Sequence, residues 1–129
     1  MNKKTINFIK KALAEDIGSG DITSMACIPE NSTGAAKLIT RENCKIAGIE
    51  IAKAIYSFYD YSLKFKTSIK DGDTVSANQI IFTISGNQRS ILATERVMLN
   101  CMQRMSGIAT KTNKYLEKIK DLNTILLDT

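Results

Sequence analysis

The chain has 129 residues, 43% of them hydrophobic and 24% charged, with a net charge of +5 and no histidine. That length supports one modest domain with its own core, and the composition is that of an ordinary globular protein. The missing histidines exclude Ser-His and Cys-His nucleophile pairs; with Cys27, Cys44 and Cys101 far apart and no CxxC, they also exclude a zinc site.

The first periodic segment, residues 6–17, sets Ile6, Ile9, Leu13 and Ile17 at helical spacing with Phe8 and Ala12 alongside, and Gly18 is its stop. Lys10 and Lys11 break its apolar positions, so it does not read as a secretory leader, and no apolar run reaches the roughly 18 residues that span a bilayer. The expected compartment is the cytoplasm, with the three thiols free and mostly buried. GSGDITS reads as a loop in which Asp21, Thr23 and Ser24 bond their own backbone, and Pro29, Asn31 and Gly34 mark a further turn.

Residues 35–41 read as a strand, RENC as a turn and KIAG as a short return strand. Residues 48–59 form an amphipathic helix with Ile51, Ala54, Ile55 and Phe58 on one side. YSLKFKTSIK alternates, with Leu63, Phe65 and Ile69 on one face and Lys64, Lys66, Ser68 and Lys70 on the other, which predicts a half-exposed strand. Asp71 to Asp73 is a tight turn, and QIIFTIS is another strand closed by Gly86. Helical periodicity then holds over residues 91–120, which would span about 45 Å. TILLDT reads as a short buried strand. Helices and strands are mixed without βαβ regularity, so the predicted fold class is α+β, a mostly antiparallel sheet with helices on one face.

The long helix has two faces. With Arg96 at zero and 100° per residue, Asn100, Gln103, Gly107 and Lys114 fall within about 40° of it, and Met98, Met102, Met105, Ala109 and Leu116 lie opposite. The Met stripe reads as core packing. The polar stripe has two readings: a solvated face with Glu95 and Arg96 as ordinary surface charges, or a functional or interface face. A mid-helix glycine costs about 1 kcal/mol relative to Ala and is usually offset by close approach of a backbone or a ligand. The basic balance favours an anionic partner, but there is no arginine-rich run or aromatic interleaving to indicate nucleic acid, and no membrane association is expected.

ALAEDIGSGDITS, DGDTVSANQIIFTISG and LATERVMLNCMQRMSGIAT followed by TILLDT occur in order over nearly the whole chain. Together they resemble quinolinate phosphoribosyltransferase, also called nicotinate-nucleotide pyrophosphorylase (carboxylating). The resemblance implies an N-terminal α/β sandwich over residues 1–105, including most of the ERxxLNxxQR helix. Residues 106–129 would begin a C-terminal α/β barrel, its first strand included, too short to complete one. It implies transfer of phosphoribose from phosphoribosyl pyrophosphate to quinolinate, giving nicotinate mononucleotide, pyrophosphate and CO2 in de novo NAD synthesis, with Mg2+ as cofactor and a homodimer or higher homo-oligomer as the assembly. Arg96 would bind a quinolinate carboxylate in the partner subunit's barrel site, and Thr129 would open the family's substrate-binding Thr-Arg-Lys. No catalytic residue or metal ligand is implied within these 129 residues, which alone would be inactive.

Asn78 stands where the family commonly has Gly, and Cys101 where it has a large apolar residue; Asn tolerates positive φ. The acids Glu15, Asp16 and Asp21 read as loop and cap chemistry. Two alternatives stand beside the transferase: a non-catalytic binding or dimerisation domain, and a transporter-associated protein of the same fold. A biotinyl or lipoyl carrier is disfavoured, because GNQRS offers no lysine after the relevant strand.

Overall fold

The computed structural model describes residues 3–18 and 22–127. Its elements in chain order are α1 (Lys3–Ile17), α2 (Ile22–Cys27), β1 (Thr33–Ile39), β2 (Cys44–Lys45), α3 (Ile49–Tyr59), β3 (Lys64–Lys66), β4 (Thr74–Val75), β5 (Ile80–Asn87) and α4 (Gln88–Ile119).

Strand β5 is rich in β-branched residues and occupies the centre of an antiparallel sheet ordered β1-β5-β3. Ala36 faces Ile84 across β1 and β5, and Phe65 of β3 faces the same Ile84 from the other side. The register slips between Leu38 and Ile39, which pair with Phe82 and Ile80. Ile81 is thus an extra residue in β5, and the bulge lets Ile81 and Phe82 both turn inward, at 1% and 2% exposure. Strict alternation would have sent one of them to solvent. A second, two-stranded antiparallel sheet pairs β2 with β4.

Helices α1, α3 and α4 supply the rest of one core. Ile9 and Leu13 from α1, Ile49, Ala52, Ile55 and Tyr56 from α3, and Ile91, Val97, Met98 and Met102 from α4 meet Val75, Ile81, Phe82 and Ile84. The rings of Phe65 and Phe82 lie 4.5 Å apart, and Tyr56 meets Phe82 edge-on at 6.1 Å. Helix α4 touches α1, α2, α3, β1, β2 and β5 and is the spine of the domain. The α+β architecture with helices packed on an antiparallel sheet is as predicted.

Several local expectations need correction. Thr23 and Ser24 lie in α2 rather than in a loop; Ser19, Gly20 and Asp21 fall outside the described residues. Gly34 sits inside β1, opposite Gly86, while the turn before it closes from Ser32 N–H to Pro29 C=O. The KIAG strand does not return on β1; its Cys44 and Lys45 pair with β4. In α3 the buried stripe is Ile49, Ala52, Ile55 and Tyr56, because the helix is held between α4 and the Phe65–Phe82 pair, and Phe58 is left 44% exposed. The terminal strand is not formed over residues 124–127. Ile125 and Leu127 are 82% and 78% exposed, with no neighbouring strand among the described residues to take their backbone hydrogen bonds. Cys27 is exposed and Cys44 and Cys101 are half-buried, so the thiols are free but not core residues.

Candidate functional site on the long helix

Helix α4 begins where Asn87 leaves the sheet. Its side-chain oxygen accepts from Ser90 N–H at 3.1 Å, a side-chain cap that fixes the first turn. Arg89 in that turn donates to the carbonyls of Ile28 and Met25, tying the end of α2 to the helix. The GNQRS segment is therefore the entry to a helix, unlike the exposed tip a carrier lysine requires.

From this cap the helix runs unbroken for 32 residues, about 48 Å. Met98 and Met102 are buried, as the Met stripe predicts, while Met105 is 38% exposed and Leu116, further along the helix, 45%. Ser106 and Thr110 hold it to the β2 segment: Ser106 Oγ accepts from Ala47 N–H at 3.0 Å, and Thr110 Oγ1 accepts from Lys45 N–H at 2.8 Å.

The polar stripe divides in two. Arg96 is on the outer face, its side chain 77% exposed, with Nη1 3.5 Å from Oδ1 of Asp16 in α1. Gln103, Gly107 and Lys114 instead line a groove of about 1310 Å³ between the outer half of α4 and the β1–β2 connection. Leu38, Ile46, Ile81 and Met102 contribute its apolar lining, and Arg41, Lys111 and Lys118 join Lys114 as its cations, with Glu42 and Glu117 opposing them. A β-carbon on Gly107 would meet nothing within 4 Å, so no close approach to this glycine is made among the described residues. Of the two expected substrate-binding residues, Arg96 has a described place and Thr129 lies outside the described residues.

Electrostatics on the inner face are set by burial. Desolvation, reinforced by Glu95, pushes the Tyr56 phenol up to about 12. The half-buried Cys101 thiol is raised by desolvation and that of Cys44 by desolvation and then Glu42, so both thiols are held away from the reactive thiolate. Among the described residues no three acidic, cysteine or histidine side chains converge on one point. None of the helices over those residues is long and apolar enough to cross a membrane.

Three contributors are not legible in the sequence. Asp16, expected in loop or cap chemistry, lies in the last turn of α1 and pairs with Arg96. Ser106 and Thr110 carry only a weak signal, two hydroxyls one turn apart beside the Met stripe.

Residues 21–106 match the family profile described as the quinolinate phosphoribosyl transferase N-terminal domain. The chain belongs to the quinolinate phosphoribosyltransferase family. A probable nicotinate-nucleotide pyrophosphorylase (carboxylating) of Synechocystis is 37% identical over 122 residues, covering 95% of this chain and 41% of the relative. The chloroplastic nicotinate-nucleotide pyrophosphorylase of Arabidopsis thaliana is 47% identical over 105 residues, covering 81% and 30%. Among solved structures, the nicotinate-nucleotide pyrophosphorylase of Francisella tularensis superimposes with a TM-score of 0.91 at 37% identity, over 100% of this chain and 46% of that one. NadC of Streptococcus pyogenes does so with a TM-score of 0.89 at 30% identity, over 95% and 44%. The chain therefore spans less than half the length of these quinolinate phosphoribosyltransferase relatives, and the profile it matches is that of the family's N-terminal domain.

Proposed function

We propose that this chain is the amino-terminal part of a transferase that joins quinolinate to phosphoribosyl pyrophosphate, releasing pyrophosphate and CO2 and forming nicotinate mononucleotide for NAD synthesis. The observation that carries this reading is Arg96. It stands on the rigid, capped part of α4 that the family profile covers, with its guanidinium largely in solvent.

An arginine in that state is suited to an anionic ligand. Its planar fork offers five N–H donors and can hold a carboxylate through two parallel bonds. Quinolinate carries two carboxylates, and the reaction displaces pyrophosphate by the pyridine nitrogen, so positioning and charge neutralisation are what a protein must provide. The described residues need supply no nucleophile. The magnesium of the family reaction would be held by residues other than those described, and no step is assigned to it on this chain.

In this reading residues 1–105 form the sandwich domain, residues 106–129 begin the barrel, and Thr129 contributes to the substrate site. Arg96 serves the site of a partner subunit in a homodimer. Ile108, Tyr115 and Leu116, 61%, 50% and 45% exposed on the outer half of α4, support a covering surface there. The proposed compartment is the cytoplasm, although the family also has a chloroplastic member.

The test is steady-state kinetics of the complete transferase, this chain joined to the remaining half its relatives carry. Arg96→Ala should raise the quinolinate KM by about a hundredfold or more, the scale on which losing one partner of a desolvated charge pair acts. An unchanged quinolinate KM would refute the assignment.

A further inference from the structure

We propose that Asp16 is a positioning residue for Arg96: it orients the guanidinium toward the substrate carboxylate without itself touching substrate. The inference rests on the reading of Arg96 given above.

Asp16 occupies a place where local physics disfavours it. It lies in the last turn of α1, at the negative end of the helix dipole, and no basic residue in that turn offsets it. A residue that breaks a local rule is commonly compensated by a tertiary partner. Here the partner is on another helix: Asp16 Oδ1 is 3.5 Å from Arg96 Nη1.

Both backbones are fixed. Helix α1 is anchored by Ile9 and Leu13, at 0% and 4% exposure, and ends where Gly18, at φ +55°, donates to Ala14 C=O. Helix α4 is anchored at the level of Arg96 by Val97 and Met98, 6% and 3% exposed. The two side chains differ in exposure, 23% for Asp16 and 77% for Arg96. The carboxylate is thus the covered member and the guanidinium the open one. At 3.5 Å the contact acts by charge more than as a short hydrogen bond, which leaves the fork's donors for a ligand. Glu95, the acid beside Arg96 in sequence, acts on the Tyr56 phenol.

A free arginine on a helix surface samples many rotamers and must give them up on binding. An acid held behind it narrows that set in advance. The same acid also competes with an anionic substrate for the cation, so the two effects oppose each other, and the proposal is that orientation prevails.

Quinolinate and phosphoribosyl pyrophosphate kinetics of the complete transferase decide this. Asp16→Asn should raise the quinolinate KM about tenfold and leave kcat and the phosphoribosyl pyrophosphate KM within about twofold. Asp16→Ser, a second removal of the charge, should act alike, and Asp16→Glu should restore most of the loss. In an Arg96→Ala background, Asp16→Asn should add nothing further. A quinolinate KM that is unchanged or lower in Asp16→Asn, or both KM values rising together with a lowered Tm, would overturn the proposal while Arg96→Ala remains defective. Should Arg96→Ala itself leave the quinolinate KM unchanged, the reading of Arg96 fails, and this inference fails with it.

Discussion

The hydroxyl of Ser106 serves both backbone groups of Ala47, accepting from its N–H at 3.0 Å and donating to its C=O at 3.1 Å. Thr110, one turn further along α4, accepts from Lys45 N–H at 2.8 Å and lies 3.4 Å from Lys45 C=O. The segment carrying β2 is thus bonded to β4 on one side and to hydroxyls of α4 on the other. This fixes the rotation of α4 about its axis, and with it the face that presents Arg96.

Replacing Ser106 with Ala should therefore be costly despite the small change in volume. The side chain is 8% exposed, and its removal leaves the part-buried backbone groups of Ala47 without this partner. The expected destabilisation is about 1–3 kcal/mol, read from urea unfolding midpoints at constant m. A change of only a few tenths would mean that the Ser106–Ala47 pair contributes little.

Gly48 is the other fixed point between α3 and α4. It has φ +105°, and a β-carbon there would lie 3.3 Å from Met102 Cγ and 3.3 Å from Met105 Sδ. Gly48→Ala should lose about 1–3 kcal/mol from the backbone conformation alone, more if the methionines cannot shift. Thermal melts of the two proteins measure it. An unaltered Tm would show that the α3 entry can rearrange.

Tyr56 makes stability depend on alkaline pH. Its phenol is pushed from an ordinary 10.0 up to about 12 in the folded chain, so between those values the folded state keeps a proton that the unfolded chain releases. Its contribution is complete below pH 10 and declines as pH rises toward 12. Tyr56→Phe should flatten that decline when unfolding free energy is followed across the window. An identical pH profile in the variant would assign the loss to other groups.

What could be read from the residues followed from how locally each feature is determined. The apolar run in QIIFTIS and the 3.6-residue period after it locate β5 and α4, because each pattern is complete within its own segment. Asn78 was read as tolerating positive φ and adopts φ 66°. The Ile81 bulge was not readable, since the extra residue is defined only by the register of β1 against β5. The partner of β2 and the burial stripe of α3 were misjudged for the same reason: what packs on an element decides its inner face.

The site divides along the same line. Arg96 was singled out by helical geometry and by resemblance, both of which belong to one helix. Its pairing with Asp16 joins two elements distant in sequence, and no period or spacing encodes it. Gly107, where close approach of a backbone or a ligand is the expected offset, opens on the groove and meets no close neighbour among the described residues.

Subunit complementation tests the central claim most directly, that Arg96 of this chain completes the quinolinate site of a partner subunit. Complete transferase carrying Arg96→Ala is mixed with transferase inactivated in the barrel site, and the subunits are allowed to exchange. At quinolinate concentrations far below the raised KM of Arg96→Ala, each parent is close to inactive. In a two-fold dimer every hybrid has one intact site, so an equal mixture should recover about a quarter of the unmodified activity. Recovery at that level is the predicted result, and a mixture that stays as inactive as its parents would contradict the account.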